Sequence, residues 1–259
     1  MPNTRPPLAL VTGGSSGIGL ELARCAAADG CRLILVARDP ARLEQAAASL
    51  RTAGAASVEC WSLDLAAPRA GVTLFDRCRD AGAIPDYLML NAGTGALGDF
   101  VGETDLALER EAIAVNIASV VDAAKHFLPA MAARGSGRLL ITSSIVAFGP
   151  SPRLAVYSGT KAFLYAFAEA LRDEVARHGI TVAALMPDLT ETRFFVRAHA
   201  EDSRTAHEPK ASPRTVAHDG YAAMLRGADH VVTPITARLK TAAAALLPPR
   251  LAARLARAV

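Results

Sequence analysis

Tyr157 and Lys161 stand four residues apart in the segment YSGTK, a spacing that places two side chains on one face of a helix. A tyrosine hydroxyl is a poor proton donor or acceptor near neutrality because its unperturbed pKa is about 10. A neighbouring ammonium stabilises the phenolate and lowers that pKa. The pair is therefore a candidate for acid–base catalysis, although the pentapeptide alone more often holds a surface tyrosine and a surface lysine.

A glycine-rich segment, TGGSSGIG, runs from Thr12 to Gly19 between the apolar run LALVT and a helical pattern. Glycine permits positive φ and lets the backbone approach a ligand closely. The free N–H groups at a helix N-terminus favour phosphate. Between the first strand and the first helix of a βαβ unit, this segment predicts a turn that binds the pyrophosphate of a dinucleotide.

The second apolar run, RLILVA, ends at Ala37 and is followed by Arg38 and Asp39. Enzymes that prefer NAD often carry an acidic residue at this strand end, where it binds the ribose 2′-hydroxyl. A guanidinium suits a 2′-phosphate instead, because its planar fork binds phosphate with two hydrogen bonds. Arg38 thus predicts NADP(H) over NAD(H). Asp39 would repel that phosphate if it turned inward, and a solvated arginine at a helix start is the alternative interpretation.

Short apolar runs alternate with helical patterns along most of the chain, which argues for a parallel sheet covered on both faces. Right-handed crossovers then give an α/β, doubly wound (Rossmann) fold, with ligands outside the carboxyl ends of the strands. The runs are LALVT, RLILVA, SVECWSL, YLMLNAG, RLLITSS, ITVAALMP and HVVT. One long helical stretch is predicted from about Asp105 to Ala133, broken or bent near Pro129.

No internal repeat or linker divides the sequence, so we expect a single domain over residues 1–259. Residues 188–213 are polar and aperiodic, and they predict a loop over the substrate site. Residues 235–259 read as a basic, amphipathic helical tail. Such a helix packs on the body of the protein or on a neighbouring subunit more often than it lies on a membrane surface, and both interpretations stay open.

The composition argues against several other classes of protein. A net charge of +3 with 5% aromatic residues gives little basis for binding nucleic acid. The six histidines lack metal-ligand spacing, so we expect no metal site. The four cysteines form no CxxC pair and predict reduced thiols in a cytoplasmic protein. The N-terminal MPNTRPP lacks the apolar segment of a signal peptide, and no apolar run is long enough to cross a bilayer.

Six short motifs occur in one order, each at a predicted element. They are TGGSSGIG, DL at Asp64–Leu65, NAG at Asn91–Gly93, VN at Val115–Asn116, ITSS at Ile141–Ser144, and YSGTK. Together they resemble the single-domain branch of the short-chain dehydrogenase/reductase family, over Leu8 to about Val232. The resemblance implies a nicotinamide-dependent oxidoreductase on the fold described above.

The resemblance also implies a catalytic set. Tyr157 is similar to the family's acid/base, and Lys161 to the partner that lowers the phenol's pKa and binds the nicotinamide ribose. Ser144 resembles the serine that holds the substrate oxygen, and Asn116 the asparagine that holds a water in a proton relay. Family spacing selects Ser144 over Ser143, and only one of two successive strand residues should face the site.

The cofactor contacts follow from the same resemblance. Asp64 and Leu65 fall near the adenine, and Pro187 and Thr192 near the nicotinamide carboxamide. The full expected set is Gly13, Ser15, Ser16, Gly17, Ile18, Gly19, Arg38, Asp64, Leu65, Asn91, Ala92, Gly93, Tyr157, Lys161, Pro187, Thr190 and Thr192. The chain departs from the family where Asp188 replaces the usual glycine after Pro187. Asp188 is expected to act as a cap, with selection of a polar or cationic substrate as the alternative.

Two further expectations concern partners. Helices around Ala107 to Ala133 and Ala155 to His178 correspond to the family's usual subunit contact, which implies a homodimer or homotetramer. The predicted pocket wall includes Ile145, Phe148, Pro150, Phe194 and Phe195, which suggests an apolar small-molecule carbonyl or alcohol substrate.

The leading hypothesis is a hydride transfer between NADP(H) and a carbonyl or secondary alcohol, of the carbonyl reductase or alcohol dehydrogenase type. The alternative is a non-catalytic nucleotide-binding or scaffold protein on the same fold. An epimerase or dehydratase ranks lower, because such relatives tend to be longer.

Overall fold

The computed structural model describes residues 5–192 and 210–237, which form a seven-stranded parallel sheet covered by helices on both faces. The strand order is β3-β2-β1-β4-β5-β6-β7. The strands are β1 (Leu8–Thr12), β2 (Arg32–Ala37), β3 (Ser57–Ser62), β4 (Tyr87–Leu90), β5 (Gly137–Thr142), β6 (Ile180–Pro187) and β7 (His230–Thr233). The predicted doubly wound fold is confirmed.

The helices divide between the two faces of the sheet. They are α1 (Gly17–Ala28), α2 (Pro40–Thr52), α3 (Ala70–Asp80), α4 (Leu106–Ile113), α5 (Ser119–Arg134), α6 (Ala155–Ala176) and α7 (Pro213–Arg226). Helices α1, α2 and α7 contribute to the core on one face, and α3, α5 and α6 to the core on the other. Alternate residues of β1 serve the two cores, Leu8 and Leu10 on one and Ala9 and Val11 on the other. A strand buried on both faces is apolar throughout, as LALVT is.

The strand order places a crevice at one edge of the sheet. Strands β2 and β3 extend from β1 in one direction, and β4 to β7 extend in the other. All pairings are parallel, so Thr12, Leu90, Thr142 and Pro187 end neighbouring strands at the same edge. In open α/β sheets ligands bind where the strand order reverses, which is between β1 and β4 here.

The long helix after β4 differs from its prediction. Helix α5 runs past Pro129 to Arg134, so the helix is not broken there, which was one of the two predicted alternatives. The irregularity lies earlier, in a π-helical segment at Ala114–Ala118 that separates α4 from α5. Such segments add one residue to a turn and often occur at functional sites. Asn116 lies within this segment and is fully buried.

The predicted loop and tail are described only in part. The Glu191 N–H donates to the Ala211 carbonyl, the Ala211 N–H donates to the Leu189 carbonyl, and α7 begins at Pro213. Residues 235–237 are helical. The rest of the predicted loop, with Phe194 and Phe195, and the tail from residue 238 lie outside the described residues.

Helix α3 packs closely on the start of α5 at Gly71. A Cβ at Gly71 would collide with the Ser119 carbonyl oxygen and lie 2.5 Å from the Ala123 nitrogen. We expect Gly71→Ala to lower the free energy of unfolding by about 1–3 kcal/mol, because the helices must move apart. Chemical denaturation followed by circular dichroism measures this loss.

Gly159→Ala is the matched control, since Gly159 is also helical but has no heavy atom within 4 Å of a Cβ built on it. Alanine is the better helix former, so stability should rise by up to about 1 kcal/mol. Equal effects of the two substitutions would contradict the packing argument.

Candidate active site

The glycine-rich turn after β1 is tight and depends on its glycines. Gly13 and Gly17 adopt positive φ values of 69° and 55°. A Cβ at Gly19 would collide with the Gly13 carbonyl and lie 2.5 Å from the Asn91 amide nitrogen. The backbone thus folds back on itself in a space that a side chain would fill. Helix α1 begins at Gly17, so its N-terminus faces this turn.

Asn91 joins the carboxyl ends of three strands. Its amide nitrogen donates to the Thr12 carbonyl at 3.2 Å, and its amide oxygen accepts from the Thr142 hydroxyl at 3.2 Å. The Thr12 hydroxyl accepts from the backbone N–H groups of Asn91 and Ala92, at 2.9 and 3.0 Å. These hydrogen bonds hold the NAG segment against β1 and β5. Asn91, Ala92 and Gly93 thereby lie beside the glycine-rich turn.

Asn116 is held by three hydrogen bonds in the buried interior. Its amide oxygen accepts from the Thr94 N–H at 3.0 Å, and its nitrogen donates to the Thr94 carbonyl at 2.8 Å and to the Thr160 hydroxyl at 2.9 Å. Thr160 donates in turn to the Tyr157 carbonyl at 2.7 Å. The π-helical segment is therefore fastened both to the loop after β4 and to the helix that carries Tyr157.

Lys161 lies buried against the end of β5, with 3% of its surface exposed. Its Nζ donates to the Thr142 carbonyl at 2.9 Å, and its own carbonyl accepts from the Ser143 hydroxyl at 2.7 Å. A Cβ at Gly93 would lie 3.3 Å from Nζ and 3.4 Å from the Asn116 amide oxygen. Gly93 thus separates the ammonium from the asparagine, and any larger residue would crowd both.

Ser144 and Tyr157 meet at the site, and their side chains are hydrogen-bonded to each other. Ser144 also donates to the Pro187 carbonyl at 3.2 Å. Ser143 points elsewhere, to the Lys161 carbonyl, so the two successive serines face opposite ways as expected. The ring of Tyr157 packs on Gly95, where a Cβ would lie 2.6 Å from its Cδ2.

Burial sets the charge state of the tyrosine and the lysine. It raises the pKa of Tyr157 to about 12, an effect that the hydrogen bond between Tyr157 and Ser144 partly opposes. Burial also lowers the pKa of Lys161 to about 8. Lys161 Nζ is bound to the Thr142 carbonyl and lies 5.6 Å from the tyrosine ring centroid. The lowering of the phenol's pKa by this ammonium stays a prediction. Near neutrality Tyr157 is therefore a protonated hydroxyl, able to donate.

A cavity of about 330 Å³ opens beside the glycine-rich turn and reaches the end of β2. It is lined by Gly13, Ser15, Ser16, Ala37, Arg38, Asp39, Arg42, Leu63, Asp64, Leu65, Ala92, Gly93, Thr94, Glu111 and Val115. Most of the residues expected around the adenosine and pyrophosphate thus share one cavity. Ile18 instead packs on the apolar core beneath α1.

The two aspartates of this cavity are engaged with backbone. Asp39 caps α2 by accepting from the Arg42 N–H at 3.2 Å, so it does not take the inward orientation considered for it. Asp64 accepts from the Ala66 N–H at 3.0 Å. The guanidinium of Arg38 contacts Glu111 on α4 at 2.8 Å, a partner that the sequence did not indicate.

The residues after β6 lie on the other side of the turn. Thr190 pairs with Ala211, and the Thr192 side chain lies 3.0 Å from the position of a Cβ at Gly17. Asp188 accepts from the N–H of the next residue, Leu189, at 2.8 Å. No helix begins at Asp188 within the described residues up to 192, so the expected capping role stays a prediction. Pro187 ends β6 next to Ser144.

Two absences concern the described part of the chain. Within residues 5–192 and 210–237 no group of three or more His, Cys, Asp or Glu side chains could hold a metal ion. Over the same residues, no helix combines the length and the apolar character needed to span a bilayer.

Comparison with known proteins gives consistent matches. The sequence pattern described as short chain dehydrogenase matches residues 7–203. The chain is 36% identical over 191 residues to galactitol 2-dehydrogenase (L-tagatose-forming) of Cereibacter sphaeroides, an alignment that covers 73% of each protein.

Solved structures match over most of the chain. A short-chain dehydrogenase from Sphingobium yanoikuyae in complex with NADPH is 29% identical, with a TM-score of 0.82 and coverage of 92% of this chain and 93% of that one. L-Sorbose reductase from Gluconobacter frateurii, complexed with NADPH and L-sorbose, is 28% identical, with a TM-score of 0.76 and coverage of 88% and 95%.

Sequence reasoning missed several residues that build the site. Thr12 and Thr142 orient the strand ends, Thr160 holds Asn116, and Gly95 borders Tyr157. The two strand-end threonines follow apolar runs, and this position was a usable signal. Nothing local marks Thr160 or Gly95, because their contacts join residues distant in the sequence.

Thr160 should stabilise the fold through its hydroxyl. Thr160→Val keeps the shape but leaves an N–H of the buried Asn116 without its partner, so we expect a loss of about 1–3 kcal/mol in the free energy of unfolding. Thr160→Ser keeps the hydroxyl and should lose less, although it removes a buried methyl group. Urea denaturation of both variants tests this order, and a valine variant as stable as the serine variant would refute it.

The low pKa of Lys161 should make stability depend on pH. Between about pH 8, its folded value, and its usual value of 10.5, the unfolded chain binds more protons at this site than the folded one. The free energy of unfolding therefore gains a positive slope with pH in that window. Lys161→Met should remove this slope, so the stability difference between wild type and variant should shift in favour of wild type from pH 8 to 10.

Lys125→Met is the control, because Lys125 is exposed on α5. Denaturant unfolding of the three cofactor-free proteins at pH 7.5, 8.5 and 9.5 gives the comparison. If the difference in free energy of unfolding between wild type and Lys161→Met stays constant over this range, the lowered pKa of Lys161 is refuted.

Proposed function

The protein belongs to the short-chain dehydrogenase/reductase family of NAD(P)(H)-dependent oxidoreductases, and we propose that it transfers a hydride between NADP(H) and a carbonyl compound or secondary alcohol. The observation that carries the proposal is the meeting of Ser144, Tyr157 and Lys161 at the carboxyl end of β5, next to the glycine-rich turn. A protein that only bound nucleotide would not need a half-buried phenol beside a buried ammonium at this point.

The residues present fit a dinucleotide. Gly13 and Gly19 let the turn close tightly, with no room for a Cβ at Gly19, and the N-terminus of α1 offers N–H groups beside the turn. We assign the pyrophosphate to this turn, the adenosine to the cavity with Asp64 and Leu65, and the nicotinamide end to the region of Pro187, Thr190 and Thr192. When bound, the nicotinamide supplies or accepts the hydride.

The chain's own residues handle the oxygen and its proton. A carbonyl oxygen gains negative charge as its carbon is reduced, and donors placed in advance stabilise that charge. The hydroxyls of Ser144 and Tyr157 are hydrogen-bonded neighbours and can both point at one such oxygen. Tyr157 is protonated near neutrality, so it donates its proton to form the alcohol, and the reverse transfer serves oxidation.

Lys161 and Asn116 support this proton transfer. Lys161 lies on the same helix as Tyr157, with its ammonium held at Thr142 and close to Gly93. We assign it the ribose of the nicotinamide and the stabilisation of the phenolate once the proton has left. Asn116 is fixed by Thr94 and Thr160. We assign to it the binding of a water molecule that returns a proton to Tyr157 through Lys161.

Arg38 supports a preference for NADP(H) over NAD(H). It lines the adenosine cavity, and Asp39 is turned to the start of α2. A guanidinium at this strand end suits the 2′-phosphate. The two solved relatives described above were both obtained with NADPH, which is in accord with this assignment.

The substrate remains a small carbonyl or alcohol compound in this proposal. Phe148 lies in the 3₁₀ turn after Ser144, with its ring against Tyr165, and it contributes an apolar wall. The relatives include enzymes named for galactitol and L-sorbose, so polyhydroxylated ketones belong in any substrate panel beside apolar ones.

The remaining assignments concern assembly and location. Leu106 and Ile113 on α4 and Phe163 on α6 are exposed apolar residues on the helices expected to form subunit contacts, which supports a homodimer or homotetramer.

The four cysteines are free thiols, and burial raises the pKa of each. This agrees with a reducing, cytoplasmic location.

The proposed function is tested by Tyr157→Phe. The change should lower turnover by about 10²–10⁴-fold, since it removes the proton donor, and should leave NADPH binding intact. Oxidation of NADPH and of NADH is followed by absorbance against a panel of ketones, aldehydes and hydroxyketones. Faster turnover with NADPH than with NADH is the expected cofactor preference.

Tyr165→Phe, on the same helix, is the control and should retain activity. Wild-type turnover that survives in Tyr157→Phe would refute the assignment of the acid/base. Cofactor binding without turnover of any compound would favour the non-catalytic alternative.

A further inference from the structure

The Arg38 guanidinium already has an anionic partner inside the adenosine cavity. Its Nη1 lies 2.8 Å from Oε1 of Glu111, and both residues line the cavity. Glu111 lies on α4, 73 residues from Arg38 in the sequence. The pair therefore reaches from the end of β2 to the helix on the other side of the cavity. The Glu111 carboxylate is thus already paired with the guanidinium that the proposed function assigns to the 2′-phosphate.

The other charged groups of this cavity are arranged differently. Asp39 accepts from the Arg42 backbone and pairs with the Arg42 side chain at 3.2 Å. Asp64 accepts from the Ala66 N–H. The lining includes two arginines, Arg38 and Arg42, and three acidic residues, Asp39, Asp64 and Glu111. Carboxylates thus outnumber guanidiniums by one, and Glu111 accounts for the difference.

We propose that Glu111 is a specificity-determining residue that lowers the preference for NADP(H) by competing with the 2′-phosphate for Arg38. This inference rests on the proposed function. A 2′-phosphate must displace the Glu111 carboxylate from Arg38 and then remain beside that negative charge. NAD(H) carries a hydroxyl at the same position, so its binding does not require the ion pair to open.

The expected effect is moderate because the ion pair is accessible to solvent. The side chains of Arg38 and Glu111 are 53% and 26% exposed, and exposed ion pairs are weak. Repulsion between the carboxylate and a phosphate adds to the lost pairing. Removing the carboxylate should therefore tighten binding of a 2′-phosphate by roughly threefold to tenfold at low salt. Screening should reduce this gain as ionic strength rises.

The experiment compares Glu111→Gln with wild type by titration calorimetry, which needs no turnover. The ligands are NADPH, NADH, adenosine 2′,5′-bisphosphate and 5′-AMP. The variant should bind NADPH and the bisphosphate roughly threefold to tenfold more tightly, with NADH and 5′-AMP nearly unchanged. Glu169→Gln is the matched control. Like Glu111, Glu169 pairs with an arginine, in this case Arg172 at 2.7 Å on the same helix. Unlike Glu111, it does not line the cavity.

Glu111→Lys provides a second variant should Glu111→Gln fold poorly, and it should increase the gain because it adds a cation. An unchanged ratio of NADPH to NADH affinity in a folded variant would overturn the inference. Equal weakening of both cofactors would also overturn it, and would show instead that the ion pair closes over the adenosine.

The inference and the proposed function fail in different ways. A wild-type protein that binds NADPH but reduces no compound loses the proposed reaction, while the role of Glu111 at the 2′-phosphate still stands. A wild-type protein that reduces ketones, with no gain for NADPH in Glu111→Gln, keeps the reaction and loses the role of Glu111. Absence of binding by either dinucleotide would overturn both.

Discussion

The hydrogen bonds of Asn91 are the interaction on which the rest of the site depends. The sheet reverses its strand order between β1 and β4, and the backbone there must turn away from both neighbouring strands. Asn91 bridges this gap by bonding the Thr12 carbonyl on one side and the Thr142 hydroxyl on the other. Its amide also abuts the place where a side chain at Gly19 would lie. The carbonyl of Thr142 then holds Lys161. One side chain thus connects the glycine-rich turn to the strand end that positions the lysine.

A second constraint is the cost of burying polar groups. Asn116, Thr160 and Lys161 are buried, and each has hydrogen-bond partners. A buried polar group without partners destabilises a fold. The π-helical segment turns Asn116 toward Thr94 and Thr160, where its amide is satisfied on both sides. This irregularity in the helix is therefore stabilised by the same contacts that shape the site.

Burial and exposure act in opposite ways at the two ends of the cofactor region. At the catalytic end burial is the dominant influence, and it keeps Tyr157 protonated and lowers the pKa of Lys161. At the adenosine end the charges are accessible to solvent, so the contact between Arg38 and Glu111 is weak enough to exchange for a phosphate. Under the proposed function, chemistry and cofactor selection would thus depend on different electrostatic conditions within one crevice.

The sequence by itself determined the class of fold, and it indicated many of the residues that meet beside the glycine-rich turn, several of them through a family resemblance. Apolar runs, glycines and the spacing of Tyr157 and Lys161 are local patterns, and local patterns follow directly from backbone geometry. The tertiary structure decided what depends on distant contacts. It replaced the expected break at Pro129 with a π-helical segment at Asn116. It also raised the pKa of Tyr157, because the burial that raises this pKa comes from the elements that pack around the side chain. It also joined Arg38 to Glu111, since charges far apart in the sequence meet only once the helices pack on the sheet.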